Sequence, residues 1–109
     1  MNPQTNEVDL QTKVDAITRA YYTLIINKVD LGLDQYHTDV WCIIAGLPIS
    51  GERTFRNACK RLEQTGRLGP NNLTLLTDAL NAWGYNDLLI MVEQYYKIST
   101  TFSHNSHAN

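Results

Sequence analysis

Cysteine, histidine and proline are scarce in this chain, with two, three and three copies among 109 residues. The two cysteines, Cys42 and Cys59, lie inside apolar patterns and not in a Cys-x-x-Cys or Cys/His cluster. They therefore predict neither a zinc site nor a disulfide framework. We expect two free, buried thiols in a reducing, cytoplasmic compartment, and no cofactor.

Long apolar runs and a strong charge of one sign are also missing. No segment approaches the ~20 apolar residues that span a bilayer, and residues 1–12 lack the apolar core of a secretory signal. We therefore expect no membrane partner. Asn72-Leu73-Thr74 matches a glycosylation acceptor, but without a signal peptide we expect no glycan there. Nine basic and eleven acidic residues give a net charge of -2, which argues against binding to nucleic acid.

Groups that could carry out acid–base catalysis are few. Only His37 lies within the part expected to fold, on the polar side of its helix, which is typical of a solvated side chain. His104 and His107 have a spacing that metal ligands use, but no third ligand accompanies them. Residues 66–70 contain two glycines outside any phosphate-loop context. The sequence predicts no enzyme.

Apolar residues are abundant, at 43% of the chain against 18% charged residues. They recur at spacings of three and four, which predicts helices and no strand. We expect an all-α protein, an antiparallel bundle of five helices, or six if residues 48–54 hold a short one. The helical domain should span residues 13–99, between flexible segments at 1–12 and 100–109.

Glycine, proline and capping residues mark the predicted helix ends. The first helix ends at Gly32, and Asp34 caps the second. The second helix is predicted to end at Gly46, and the helix after residues 48–54 to end at Gly66. The following helix should start at Pro70-Asn71 and end at Gly84, and the last helix should start near Asn86-Asp87.

The second helix has one apolar stripe, predicted to be buried, formed by Tyr36, Val40, Ile43 and Ile44. Trp41 falls outside this stripe, next to the polar side. It is either a partly exposed anchor for a partner protein or a widening of the buried stripe, and the pattern leaves both interpretations open.

Charge is distributed unevenly along the chain. Five of the nine basic residues lie in or next to one helix: Arg53, Arg56, Lys60, Arg61 and Arg67. The acidic residues Asp30, Asp34 and Asp39 cluster around the second helix. A charged face is usually only solvated. Opposite faces of opposite charge, however, would allow copies of one domain to dock head to tail.

Residues 61–80 combine a helix with a Leu-Glu pair near its end, a turn, and an Asn-Leu-x-x-Leu helix start at Asn72-Leu73-Thr74-Leu75-Leu76. Asn86-Asp87-Leu88-Leu89 follow at the start of the last helix. This arrangement resembles the death effector domain family, in which an Arg-x-Asp-Leu motif opens the sixth helix. The resemblance covers roughly residues 14–97 and is clearer in the second half.

The chain departs from that family in two places. Tyr85 stands where the family has the arginine of its charge triad, so the usual triad cannot form; Asp87 is kept, and Gln35 or Asp34 would be the nearest candidate on the second helix. The link between the second and fourth helices is short, which implies a short or degenerate third helix and allows a neighbouring death-fold subfamily.

The resemblance implies a six-helix, Greek-key death fold that mediates homotypic assembly in apoptotic or inflammatory signalling, as an adaptor or regulator. Partners would be other death-fold proteins or copies of the chain itself, with oligomers or filaments as products. The residues expected to bind partners are Arg53, Arg56, Lys60, Arg61, Asp34, Gln35, Trp41, Tyr85 and Asp87.

Two alternatives accompany this expectation. The basic helix could bind nucleic acid as a helix-turn-helix variant, against which stand the net charge and the lack of a second basic element. The chain could also be an inhibitory decoy that binds a death-fold partner without propagating an assembly.

Overall fold

The computed structural model describes the backbone of residues 3–107 and the side chains of residues 10–101. Over this range the chain forms five helices and no strand, with one isolated backbone bridge between Gly69 and Asn72. The helices are α1 (Pro3–Gly32), α2 (Gln35–Ala45), α3 (Phe55–Gln64), α4 (Thr74–Trp83) and α5 (Asn86–His107). The expectation of an all-α helical bundle is confirmed.

The two outer helices are longer than the sequence predicted. α1 begins at Pro3 rather than near residue 13, and α5 runs to His107 rather than ending near Ser99. Neither segment contains a glycine or an internal proline that would stop a helix. Pro3 suits the first position of α1, where a backbone N–H would have no partner inside the helix. Polarity alone was therefore a poor guide to these boundaries.

The ends of α2 follow the sequence closely. The carboxylate of Asp34 accepts a hydrogen bond from the backbone N–H of His37, as an N-cap does. Gly46 ends the helix in the left-handed conformation, at a φ of 77°, which L-residues with a Cβ atom adopt at a cost. Both boundaries were predicted, because caps depend on residues adjacent in sequence.

The segment between α2 and α3 contains no helix. Its one hydrogen-bonded turn runs from the carbonyl of Pro48 to the N–H of Gly51, at 3.2 Å. This is where the short third helix was expected, so the described range has five helices rather than six.

α4 starts at Thr74 and not at Pro70. Gly69 and Asn72 exchange two backbone hydrogen bonds, which hold residues 69–72 in a turn before the helix.

α1 and α5 pack along one another in opposite directions. The rings of Tyr21 and Tyr95 meet edge to face at 5.9 Å, and Gly32 lies against Leu88. α4 packs on α5, α3 contacts α1, and α2 packs mainly on α3, so that the described helices surround one apolar core. The largest fully buried side chains of that core are Trp41, Phe55, Ile25, Leu62, Leu76 and Leu80.

Candidate protein-docking surfaces

The exposed side of α3 is basic. Phe55, Ala58, Cys59 and Leu62 are buried on the inner side, as predicted. Arg56, Lys60 and Arg61 are exposed on the outer side. The basic face of α3 is hereafter this set of three residues. Arg56 also donates to Asp30 on α1, at 3.2 Å, and to the side-chain oxygen of Asn27, so part of its charge is neutralised within the chain.

Arg53 is not part of the basic face. It precedes Thr54, whose hydroxyl caps α3 by accepting from the N–H of Asn57 at 3.1 Å. The Arg53 side chain is partly buried. Burial raises the pKa of the neighbouring Cys42 thiol, and the Arg53 guanidinium offsets only part of this increase. The prediction that placed Arg53 in one row with Arg56 and Lys60 is wrong, because it extended the helical periodicity past the cap.

Arg67 also has a structural role. Its guanidinium donates to the carbonyl oxygen of Ile44 in the last turn of α2, at 3.0 Å. Such a contact satisfies a carbonyl that the helix itself leaves without a partner. Of the five clustered basic residues, three therefore form the exposed face, while Arg53 is partly buried and Arg67 is bound to the carbonyl of Ile44.

A groove of about 690 Å³ runs between α1 and α3. Its lining includes the buried side chains of Tyr22 and Ile26. Charged side chains of both signs also line it: Arg19, Arg56, Lys60, Asp30, Glu52 and Glu63. The Tyr22 hydroxyl donates to Glu63 at 2.5 Å, which links the two helices across the groove. Burial, followed by this hydrogen bond, raises the pKa of Tyr22 far above its ordinary value. Sequence reasoning missed the groove, since its two sides come from distant segments.

An acidic and aromatic cluster lies at the start of α2. The Nδ1 atom of His37 is 2.8 Å from Oδ1 of Asp34 and 2.9 Å from the hydroxyl of Tyr85. The same hydroxyl accepts from the backbone N–H of Asp34 at 3.2 Å. Tyr85, which replaces the arginine of the family motif, thus joins the segment before α5 to the start of α2 without any charge of its own.

Asp34 is held in its charged form by this cluster. The hydrogen bond from the backbone N–H of His37 lowers the pKa of Asp34, and the Tyr85 hydroxyl and the His37 ring lower it further. The carboxylate stays exposed to solvent. It therefore presents a stable negative charge at the surface.

His37 is not the freely solvated side chain that the sequence suggested. Its ring packs against Trp83 at 5.0 Å and meets Tyr85 edge to face at 5.1 Å, while Tyr36 approaches from the third side at 5.1 Å. The prediction failed because Trp83, the last residue of α4, and Tyr85, just before α5, are distant from His37 in sequence.

The other predicted contacts on the acidic side are exposed. Gln35 donates to Asp39 at 2.9 Å, one turn along α2, so this amide is engaged with a neighbouring acid. Asp87 lies exposed in the first turn of α5, where a negative charge is favoured by the helix dipole.

The outward side of α2 is apolar, the reverse of what was predicted. Trp41, Cys42 and Ala45 are buried, and the ring of Trp41 stacks on Phe55 at 5.9 Å. Tyr36 and Ile43 are 71% and 65% exposed. Val40 lies between them at helical spacing and is partly exposed. Trp41 is a core residue and no anchor; we call Tyr36, Val40 and Ile43 the α2 stripe.

The described residues offer little for other chemistry. Both cysteines are free and buried, and burial raises the pKa of Cys59 to about 12. No three His, Cys, Asp or Glu side chains within residues 10–101 lie close enough to hold a metal ion; His104 and His107 are outside that range. No helix within residues 3–107 has the length and apolar character of a membrane span.

Comparison with protein-family models, with curated proteins and with solved structures finds no match to this chain.

Proposed function

We propose that this chain is a protein-interaction module of the death-fold type, an adaptor or regulator in apoptotic or inflammatory signalling. It self-associates, or binds related domains, when the α2 stripe of one molecule enters the α1–α3 groove of the next. The observation that carries this proposal is the exposure of the α2 stripe, because an apolar helix face beside acidic residues is typical of a docking surface.

The α2 stripe provides the apolar contact that such docking requires. Each exposed ion pair contributes only about 0–1 kcal/mol, so charge alone would orient two molecules without holding them together. Tyr36 and Ile43 are far more exposed than core residues of their size. Removing them from water supplies the larger favourable free energy.

The α1–α3 groove is suited to receive this helix. Its lining includes the buried side chains of Tyr22 and Ile26. The cations Arg19 and Lys60 also line it and form no ion pair among the described side chains, although the acidic residues Asp30, Glu52 and Glu63 share the lining. Asp39 lies beside the α2 stripe and would face these cations. Because stripe and groove are different surfaces, the contact is heterologous and can repeat into a chain of molecules.

The resemblance to death effector domains supports a role in apoptotic or inflammatory signalling. The five-helix bundle is compatible with a death fold whose third helix is reduced to the turn at residues 48–51. Tyr85 and Asp87 would then lie where the family has its charge triad. In this chain Tyr85 connects to Asp34 through hydrogen bonds, which preserves the link between the two helices.

The test is self-association and capture of a related domain, measured by light scattering and pull-down. We expect Ile43→Asp and Lys60→Glu each to weaken both, and added salt to weaken the wild type, because the charged contact is exposed. Lys60 is a better target than Arg56, since replacing Arg56 would also break its contact with Asp30.

Matched controls are Ile90→Asp and Lys97→Glu on α5, which make the same changes at exposed positions outside the stripe and the groove. Equal binding by the wild type and Ile43→Asp would refute the surface assignment.

Electron microscopy distinguishes the inhibitory decoy, which binds a partner but forms no filaments. A titration of labelled duplex DNA at low salt that shows no binding removes the nucleic-acid alternative.

A further inference from the structure

A second apolar surface lies along the seam between α1 and α5. Leu31 is 88% exposed near the end of α1, and Leu24 is exposed two turns earlier on the same side of the helix. Leu88 and Met91 of α5 border a groove of about 380 Å³ with Leu31. Ile98 is exposed further along α5. We call these five residues the seam surface.

The seam surface is distinct from the surfaces used in the proposed function. At 100° per residue, Leu24 and Leu31 lie on the opposite side of α1 from Tyr22 and Ile26, which line the α1–α3 groove. α2 does not contribute to it. A contact made here is therefore independent of the head-to-tail contact.

α1 and α5 pack closely at this seam. A Cβ atom on Gly32 would lie 2.8 Å from a methyl carbon of Leu88, so any other residue at position 32 would require the Leu88 side chain to shift. Leu88 and Met91 are thereby brought level with Leu31 and Lys28, and all four line the groove.

Two charged residues of opposite sign lie at or next to this groove. Lys28 lines it, and Asp87 directly precedes the lining residue Leu88 in the first turn of α5. Neither forms an ion pair among the described side chains. The groove is therefore apolar between a positive charge on α1 and a negative charge at the start of α5.

We propose that the seam surface binds a second copy of this chain in a two-fold symmetric dimer. A two-fold axis passing near Leu31 turns the positive charge of one molecule onto the negative charge of the other. Lys28 of each copy then faces the partner's Asp87, and the two Leu31 side chains meet at the centre. A surface whose two helices carry opposite charges is complementary to itself in this arrangement, which is the condition for an isologous interface.

Sedimentation velocity of the full chain tests the proposal. We expect a dimer to form at protein concentrations up to about 1 mM, that is, with a Kd of about 1 mM or tighter. Leu31→Glu should weaken it about tenfold or more, because it places a charge at the centre of the interface. Ile49→Glu is the control, since Ile49 is also 88% exposed but lies outside the seam surface.

A charge exchange gives a second, stricter test. Lys28→Glu and Asp87→Lys should each weaken the dimer, and the double variant should restore it, because each contact is then formed with signs reversed. Thermal unfolding of each variant shows that the fold is kept.

Three results would overturn the proposal. The wild type could stay monomeric up to that concentration, Leu31→Glu could dimerise as strongly as the wild type, or the double variant could dimerise no more strongly than the single variants. Loss of the dimer in Ile43→Asp but not in Leu31→Glu would also overturn it, and would assign self-association to the α2 stripe. A dimer lost only in Leu31→Glu supports the seam surface while contradicting the head-to-tail contact.

Discussion

α2 and α3 are neighbours in sequence and pack against each other, yet their sequences predict burial with different success. In α3, the side expected to be buried is buried, from Phe55 to Leu62. In α2, the expected stripe of Tyr36, Val40 and Ile43 faces outward, and Trp41 lies in the core. The difference follows from charge: α3 has one face that cannot be buried, whereas α2 is apolar on several sides.

This comparison shows what an amphipathic pattern can and cannot determine. Arg56, Lys60 and Arg61 restrict α3 to one orientation, since burying any of them would cost several kcal/mol. α2 has Asp39 as its only ionisable carboxylate between Gln35 and Ala45. Several orientations of α2 are then similar in cost, and shape complementarity with Phe55 decides among them.

The largest expected effect concerns the two candidate faces of α2. Trp41→Ala should lower the free energy of unfolding by about 3–5 kcal/mol, because it leaves a cavity beside Phe55. Ile43→Ala should change it by about 0.5 kcal/mol or less, as exposed substitutions do. Urea denaturation followed by circular dichroism measures both. Equal losses in the two variants would contradict the orientation of α2 described here.

A smaller effect is expected at the start of α3. Thr54→Ala removes the hydroxyl that accepts from the N–H of Asn57 and should cost about 1 kcal/mol of stability. Thr54→Ser keeps the acceptor and serves as the control. If the alanine and serine variants unfold at the same urea concentration, the cap does not stabilise α3.

The smallest effect is a change in pH dependence at the start of α2. The pKa of Asp34 is lower in the folded chain than its ordinary value, chiefly through the His37 N–H. Its contribution to stability is therefore complete above the ordinary aspartate pKa and is lost as the pH falls through the lowered folded value. Asp34→Asn keeps a capping oxygen but cannot titrate.

Thermal unfolding between neutral and acidic pH measures this difference. The wild type should have a higher Tm than Asp34→Asn at neutral pH. The difference in Tm between the two proteins should become smaller as the pH falls. Tyr85→Phe removes the hydroxyl that hydrogen-bonds to His37 and to the backbone N–H of Asp34. Because this hydroxyl also helps to lower the pKa of Asp34, the stability of Tyr85→Phe should depend less on pH than that of the wild type. A difference in Tm between the wild type and Asp34→Asn that stays constant with pH would contradict a lowered pKa at Asp34.

The parts of the candidate sites that sequence reasoning identified are local. The exposure of Arg56, Lys60 and Arg61 follows from one helical period, and the role of Asp34 as a cap follows from three adjacent residues. The α1–α3 groove and the contact of His37 with Tyr85 were missed. Both join segments 26 or more residues apart, for example Asp30 and Arg56, and no spacing rule links such positions.

The sequence by itself determined that the chain is helical, where α2 ends, which side of α3 is buried and that both thiols are internal. Each of these depends on hydrogen bonds or periodicity within a few residues, which the amino acids specify directly. The tertiary structure alone decided which side of α2 faces the core and which apolar residues remain at the surface. Those outcomes depend on how helices distant in sequence fill space together, because an apolar side chain is equally suited to the core or to a partner until its neighbours are known.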